Sequence, residues 1–363
     1  MRGEEGVDGM SMVAAASLFS TAPHCEQNRL SPEMPLPQAG QDAMTDYSHM
    51  LRNSGGAKPF NCTIGPNCAF CQGFGGLLGI TITIVSARTT GSLEGKSVLI
   101  TGAGRGIGKR LAMGFAQAGA RVGLLSRSQA ELDLAKLEIE QVKGNALRIR
   151  ADVRDLEQLS AAVDRMRVVF GGVDVMVAAA GVLGPIGPLL STKPKSWNET
   201  IEVNLIGAVN SCRAVLPHMI ERRSGKVLLL VGWGSGHPRP NFTAHATSKA
   251  AIVRFAECLG MEVSEHNVQV NCLAPGHSYT HMTDEILHAG EERAGVREVE
   301  EAERIRITGG VAPEKQIQLA LFLASDRSNH ISGKVFHVND DWKRFERENM
   351  NPEYFTLRRV QRM

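Results

Sequence analysis

From Leu93 onward the chain alternates short apolar runs with longer helical patterns, and this alternation restricts the fold more than any other feature. KSVLIT (96–101) reads as a strand, GIGKRLAMGFAQAGA (106–120) as a helix, RVGLLS (121–126) as a strand and SQAELDLAKLEIEQV (128–142) as a helix. ALRIRADV (146–153), DVMVAAA (174–180), KVLLLV (226–231), VQVNCLAPG (268–276) and KVFHVN (334–339) continue the strand series, with helical patterns in the gaps. Strands that are apolar along their whole length must be covered on both faces, which implies a parallel sheet between two helical layers. Right-handed crossovers then give an α/β fold with a Rossmann-type doubly wound sheet, in a single domain over residues 93–340.

TGAGRGIG, residues 101–108, joins the first strand to the first helix. Gly102 permits the tight turn, Gly106 lets the backbone approach a pyrophosphate, and Gly108 lets the helix pack close to the strand. The helix N-terminus then turns free N–H groups and a positive dipole end toward the phosphates. Between a strand and a helix, at the head of a βαβ series, such a triplet marks a dinucleotide site. Thr101, Gly102, Arg105, Gly106, Ile107 and Gly108 are the expected cradle. About 20 residues further on, an NAD site carries a carboxylate for the ribose 2′-OH. Here Ser126 and Arg127 stand at that point. With no carboxylate there to repel a 2′-phosphate, and with Arg105 and Arg127 able to donate charge-assisted hydrogen bonds, NADP is expected ahead of NAD.

The 363 residues carry 40 Lys+Arg against 38 Asp+Glu, a balance that points away from nucleic acid as a partner. No run approaches the roughly 18 apolar residues that span a bilayer, so no membrane partner is expected. Seven cysteines, an odd number without a secretory signal, indicate a reducing compartment and a cytoplasmic protein. Residues 1–92 lack periodicity and read as an N-terminal extension, mostly disordered, or as a start upstream of the true one, given Met44 and Met50. Cys62, Cys68 and Cys71 are irregularly spaced and read as linker cysteines, so no metal is expected. Residues 341–363 form a C-terminal extension whose Trp342, Phe345, Tyr354 and Phe355 suggest that it packs.

Over residues 93–340 these motifs, taken in order, resemble the short-chain dehydrogenase/reductase family. The TGxxxGxG spacing fits Thr101, Gly102, Gly106 and Gly108; Asp152 and Val153 match the pair that contacts adenine. AAAG, with Ala180 and Gly181, stands where the family usually has NNAG, and PGHSYT supplies Pro275, Gly276 and Thr280, the last against the nicotinamide carboxamide. The resemblance implies a tetrad of Asn, Ser, Tyr and Lys, in which Lys binds the nicotinamide ribose, Tyr exchanges a proton with the substrate oxygen, Ser hydrogen-bonds that oxygen and Asn holds a water. Asn204 and Lys249 match, but His245 replaces the tyrosine and Gly232 the serine. Ser235 and Tyr279 are the candidate stand-ins.

Histidine ordinarily titrates near 6.5 against about 10 for tyrosine, and its shorter ring would reach substrate through a water. The Lys249 ammonium disfavours a second positive charge on His245, and a neutral imidazole is a poor proton donor. The resulting expectation is an NADP-dependent oxidoreductase moving a hydride between nicotinamide and a secondary alcohol or ketone. It would be 3-oxoacyl reductase-like or sugar/small-alcohol dehydrogenase-like, and inclined to oxidation. The alternative is a catalytically impaired member that binds NADP without turnover, or acts as a scaffold. Residues 277–310 are expected to cover the substrate, with Met282, Ile286 and Leu287 as an apolar wall and 291–306 as a solvated helix face. His237, His245, His277 and His281 would share one rim without a metal. By resemblance, the helices within 196–222 and 243–264 pair two copies, giving a homodimer or homotetramer.

Overall fold

An interior strand of the sheet, β1 (Ser97–Thr101), is buried at every position, as an apolar run covered on both faces must be. The computed structural model describes residues 93–346, most of 348–357, and two short strands, Cys62–Thr63 and Thr81–Ile82, that pair antiparallel. The chain separates into two compact units, Met1–Arg88 and Thr89–Met363. The linker cysteines Cys68 and Cys71 lie outside the described residues.

In the second unit, β1 is followed by α1 (Gly106–Gln117), β2 (Arg121–Ser126), α2 (Gln129–Gln141), β3 (Asn145–Arg150), α3 (Leu156–Phe170) and β4 (Val175–Ala178). Then come α4 (Pro194–Ile201), a π turn (Glu202–Ile206) and α5 (Gly207–Glu221), which run on without a break, and β5 (Gly225–Leu230). The rest is α6 (Thr243–Glu262), β6 (Val268–Ala274), α7 (His281–Ala294), α8 (Val296–Thr308), α9 (Pro313–Ala324) and β7 (Val335–His337). The sheet order is β3-β2-β1-β4-β5-β6-β7, and every pairing is parallel. This is the doubly wound sheet expected from the alternation. The order reverses between β1 and β4, whose register sets Thr101 beside Ala178, so the crevice opens beyond these carboxyl ends.

One helical layer buries Leu111, Phe115, Leu132, Ile139, Leu319 and Phe322 against the sheet. The other buries Val163, Met166, Val215, Met219, Ile252 and Ala256. Near-complete burial of such side chains contributes about 1.5–3 kcal/mol each in area terms, offset largely by chain entropy. Several strands stop earlier than the apolar pattern: β3 ends at Arg150, not Val153, and β6 at Ala274, not Gly276. Beyond those points the chain leaves the ladder to line the crevice.

The C-terminal extension does pack. Trp342 stacks on Phe322 with ring centroids 4.9 Å apart, and Phe355 stacks on Phe336 at 5.0 Å. Phe345 meets both Phe336 and Phe355 edge-on, in the offset geometry that aromatic quadrupoles favour. The Phe355 carbonyl accepts a hydrogen bond from the Val335 N–H at 2.8 Å, so the tail occupies part of the outer edge of β7.

Candidate active site

The turn after β1 closes tightly. A Cβ at Gly102, whose φ is +66°, would lie 2.7 Å from the backbone of Ala180, and one at Gly108 would overlap the Gly102 carbonyl oxygen. The Thr101 hydroxyl accepts from the Ala180 N–H at 3.3 Å, tying the β1 and β4 loops together. Across the crevice, Thr280 caps α7, and its methyl group would be 3.7 Å from a Cβ at Gly106. Arg110 bridges the same gap by donating to the Tyr279 carbonyl at 2.9 Å. The loop and the PGHSYT segment therefore face each other around the cofactor crevice.

The 2′-phosphate region is more mixed than the sequence reading expected. Arg105 and Arg127 are both largely exposed, with Arg127 4.0 Å from Asp152. Arg105, however, pairs with Glu131 at 3.4 Å, and the same Glu131 lies beside Gly104. A carboxylate thus does reach this rim, from the first turn of α2 rather than from the end of β2. The sequence reading sought a carboxylate only at the end of the second strand, whereas Glu131 comes from the helix that Ser128 caps by accepting from its N–H. Asp152 is held by the Arg154 guanidinium and backbone N–H, which keep its carboxyl below the usual range. Val153 is buried, and a Cβ at Gly207 would press on it.

Asn204 sits in the π turn between α4 and α5, a local widening often found where a helix must turn a side chain into a site. Its Oδ1 accepts from the Val182 N–H at 2.8 Å, while Nδ2 donates to the Val182 carbonyl and the Ser248 hydroxyl, both at 3.0 Å. Both amide hydrogens are used, so this side chain braces the β4 loop against α6 rather than donating to a water. Lys249 is buried, and its Nζ donates to the Leu230 carbonyl at 2.9 Å. Burial pulls its pKa down to about 8, which leaves the ammonium dominant at neutral pH. A Cβ at Gly181 would stand 3.3 Å from Asn204 Oδ1 and 3.6 Å from Lys249 Nζ, so these residues converge at one point.

His245, one turn before Lys249 on α6, is 6% exposed, and its Nδ1 is buried without a hydrogen-bond partner. A Cβ at Gly232 would lie 3.7 Å from its Cε1, so Gly232 does face position 245 as the spacing suggested. Burial first, then the Lys249 and Arg239 charges, push the imidazole down to about 3. The ring is neutral throughout the physiological range. Its conjugate acid is too strong for it to be an effective base near pH 7, and no imidazolium is present to act as an acid.

Because His245 is neutral when folded but titrates near 6.5 when unfolded, the unfolded chain binds the extra proton between those values. Folding stability is then lost as pH falls from about 6.5 toward 3. Denaturant unfolding at pH 5 and pH 7 should show wild type losing about 2 kcal/mol more than His245→Tyr. Equal losses would mean that the imidazole is charged in the folded chain.

Tyr279, the candidate stand-in for the missing phenol, is already engaged. It is 38% exposed, and its hydroxyl donates to Asp284 Oδ1 at 2.7 Å, which raises its pKa. Ser235 closes the turn Trp233–Ser235, its N–H returning to the Gly232 carbonyl at 2.9 Å. The histidines do not form a shared cluster. His277 Nδ1 meets Glu301 at 2.6 Å and His281 meets Glu285 at 3.4 Å; among the described residues no three metal-ligating side chains converge.

The segment after β6 forms α7 and α8, with a break inside α7 at Gly290, φ +68°. Ile286 is buried with Leu183, Ile186 and Phe242, and Met282 and Leu287 pack against them, as the apolar wall required. The charged stretch 291–306 is not wholly solvated. Glu298 takes Arg239, Arg293 donates twice to the Ile186 carbonyl, and Glu301 takes His277. No helix among the described residues is long and apolar enough to cross a membrane.

Residues 96–290 match the family model described as short chain dehydrogenase. A 3-oxoacyl-[acyl-carrier-protein] reductase of Thermotoga maritima is 33% identical over 247 residues, which are 68% of this chain and 97% of that protein. A 5-keto-D-gluconate 5-reductase of Escherichia coli is 32% identical over 250 residues, 68% of this chain and 95% of that one. Among solved structures, a gluconate 5-dehydrogenase of Burkholderia cenocepacia in complex with NADP and tartrate superposes with a TM-score of 0.60. It is 28% identical and covers 68% of this chain and 94% of its own.

Proposed function

Since the chain belongs to the short-chain dehydrogenase/reductase family of NAD(P)-dependent oxidoreductases, we propose that it uses NADP to move a hydride between nicotinamide C4 and a secondary alcohol or ketone. Substrates of the 3-oxoacyl or sugar-acid kind named for its relatives are the nearest guides. The observation that supports this best is the convergence of Lys249, Asn204 and Gly181 beside a closed glycine loop. In this reading Thr101, Gly102, Arg105, Gly106, Ile107 and Gly108 hold the phosphates. Asp152, Val153, Ala180 and Gly181 flank the adenosine, while Pro275, Gly276 and Thr280 flank the nicotinamide and Lys249 binds its ribose. The nicotinamide supplies the hydride chemistry when bound. The proton step at His245 limits the rate, because the neutral ring reaches substrate only as a weak hydrogen-bonding group.

Arg105 and Arg127 favour a 2′-phosphate, and Glu131 opposes it. Arg127→Asp should therefore weaken NADP binding about a hundredfold, and Glu131→Gln should strengthen it, by calorimetric titration. An unchanged NADP affinity in Arg127→Asp would remove that guanidinium from the site. A second reading, a protein that binds NADP without turnover or acts as a scaffold, is favoured specifically by the unpartnered Nδ1 of His245. NADPH consumption over a panel of ketones, with NADP reduction over the matching alcohols, separates the two. Wild-type turnover abolished by Lys249→Ala supports the enzyme, and NADP binding without any turnover supports the second reading.

A further inference from the structure

On the substrate side of His245 lies a guanidinium that the family motifs do not include. Arg239 stands three residues before Phe242, which precedes the first turn of α6, and its Cζ lies 4.1 Å from the centroid of the Phe242 ring. Phe242 is fully buried in the apolar cluster beneath α7 and α8, and the Arg239 charge is close enough to act on the His245 ring, so the guanidinium stands between the proposed proton-transfer position and the covering segment. The Arg239 side chain is only 12% exposed. It already holds a carboxylate: Nε and Nη2 both donate to Oε2 of Glu298, at 3.1 and 2.7 Å, leaving Nη1 outside the pair. Glu298 belongs to α8, in the covering segment, which follows a glycine with φ +93° at Gly295 and ends at Gly309 and Gly310, both of positive φ. Elsewhere this rim meets the cover through Asn241 Nδ2 to the Ala294 carbonyl, Arg293 to the Ile186 carbonyl and His277 to Glu301, so Arg239–Glu298 is the arginine–carboxylate pair described across it.

We propose that Arg239 recognises a carboxylate on the substrate, and that Glu298 occupies the guanidinium in its place as an exchangeable latch on the cover. The inference rests on the oxidoreductase reading above and narrows its substrate to hydroxy or oxo acids. A planar guanidinium sealed from water and stacked on an aromatic face suits a carboxylate, which accepts two parallel N–H bonds where a hydroxyl accepts one. Substrate binding exchanges one Arg–carboxylate pair for another, so the buried charge is never left uncompensated, and Glu298 is freed toward solvent. An uncharged alcohol cannot make that exchange, because it would leave the latch in place.

The test compares 3-hydroxybutyrate with 1,3-butanediol, which differ only at the carboxylate, by calorimetric titration into the full chain after NADP has been titrated in. Wild type should bind the acid about ten- to hundredfold more tightly than the diol. Glu298→Gln should tighten binding of the acid by about tenfold, since the internal competitor loses its charge, and leave the diol unchanged. Arg239→Gln should lose the preference and Arg239→Lys should keep part of it. A gain in Glu298→Gln cannot come from misfolding, so the proposal does not hang on the arginine variants folding well. Equal binding of acid and diol would overturn the proposal, as would weaker acid binding in Glu298→Gln. Acid binding absent from both wild type and Glu298→Gln, with NADP bound, overturns it too. Failure to bind NADP counts against the cofactor reading instead; the same acid and diol titrations are then made on the free protein and read in the same way.

Discussion

Placing serine at 232 and tyrosine at 245 together should raise kcat by about three orders of magnitude over wild type. The estimate follows from two missing groups of known kinds, a general acid/base contributing about 10²–10⁴ and an oxygen-stabilising donor of similar order, which act as a unit and do not simply multiply. The surroundings are already arranged for them. A serine Cβ at 232 meets only the position-245 ring, at 3.7 Å, and Lys249 is present to lower a tyrosine pKa. A phenol also carries its own hydrogen-bonding proton at neutral pH, which the His245 ring, pushed to about 3, does not supply as an acid. His245→Tyr alone should recover part of the gain, and Gly232→Ser alone almost none, because a serine without a proton-transfer partner stabilises an oxygen that cannot be protonated. Steady-state NADPH oxidation on a ketone that wild type turns over slowly checks this. A double variant no faster than wild type would show that proton transfer is not what limits the chain.

Gly108→Ala should abolish measurable NADP binding. The added methyl would overlap the Gly102 carbonyl oxygen, a backbone atom that cannot move without reopening the turn. Gly106→Ala provides the graded comparison. Its Cβ has space, with Thr280 Cγ2 3.7 Å away, but φ is +58°, so the expected cost is that of a left-handed alanine, about 1–2 kcal/mol. Titration of NADP into both variants, with circular dichroism to confirm folding, distinguishes obstruction from backbone strain. If Gly108→Ala bound NADP like wild type, the loop would have to be open in the working protein.

The sheet was legible because the strands are short, largely apolar runs, and no helix among the described residues imitates that pattern for so few residues. The glycine loop was legible because its spacing has a steric cause, visible again in the contacts of Gly102 and Gly108. Asn204, His245 and Lys249 could be placed by motif, and the close approach of Gly232 to His245 agrees with that placement. What the sequence concealed depends on distance along the chain. Glu131 reaches the loop from another helix, and the Arg239–Glu298 pair joins residues 59 positions apart. The depressed titration of His245 arises from burial, which no local pattern encodes. The charged stretch 291–306 looked solvated because its acidic residues outnumber its apolar ones, yet Glu298 and Glu301 turn toward the rim.

The aromatic tail has a consequence for the order of events during synthesis. β7 lies at the end of the sheet, and the residues that cover its outer edge, up to Phe355, follow it in the chain. Until they have left the ribosome, Phe322 and Phe336 lack their ring partners and one border of the sheet remains unpaired. The core is therefore completed last by the segment after β7, and a transcript cut short near codon 340 would yield a chain with a bare, adhesive strand as its last element.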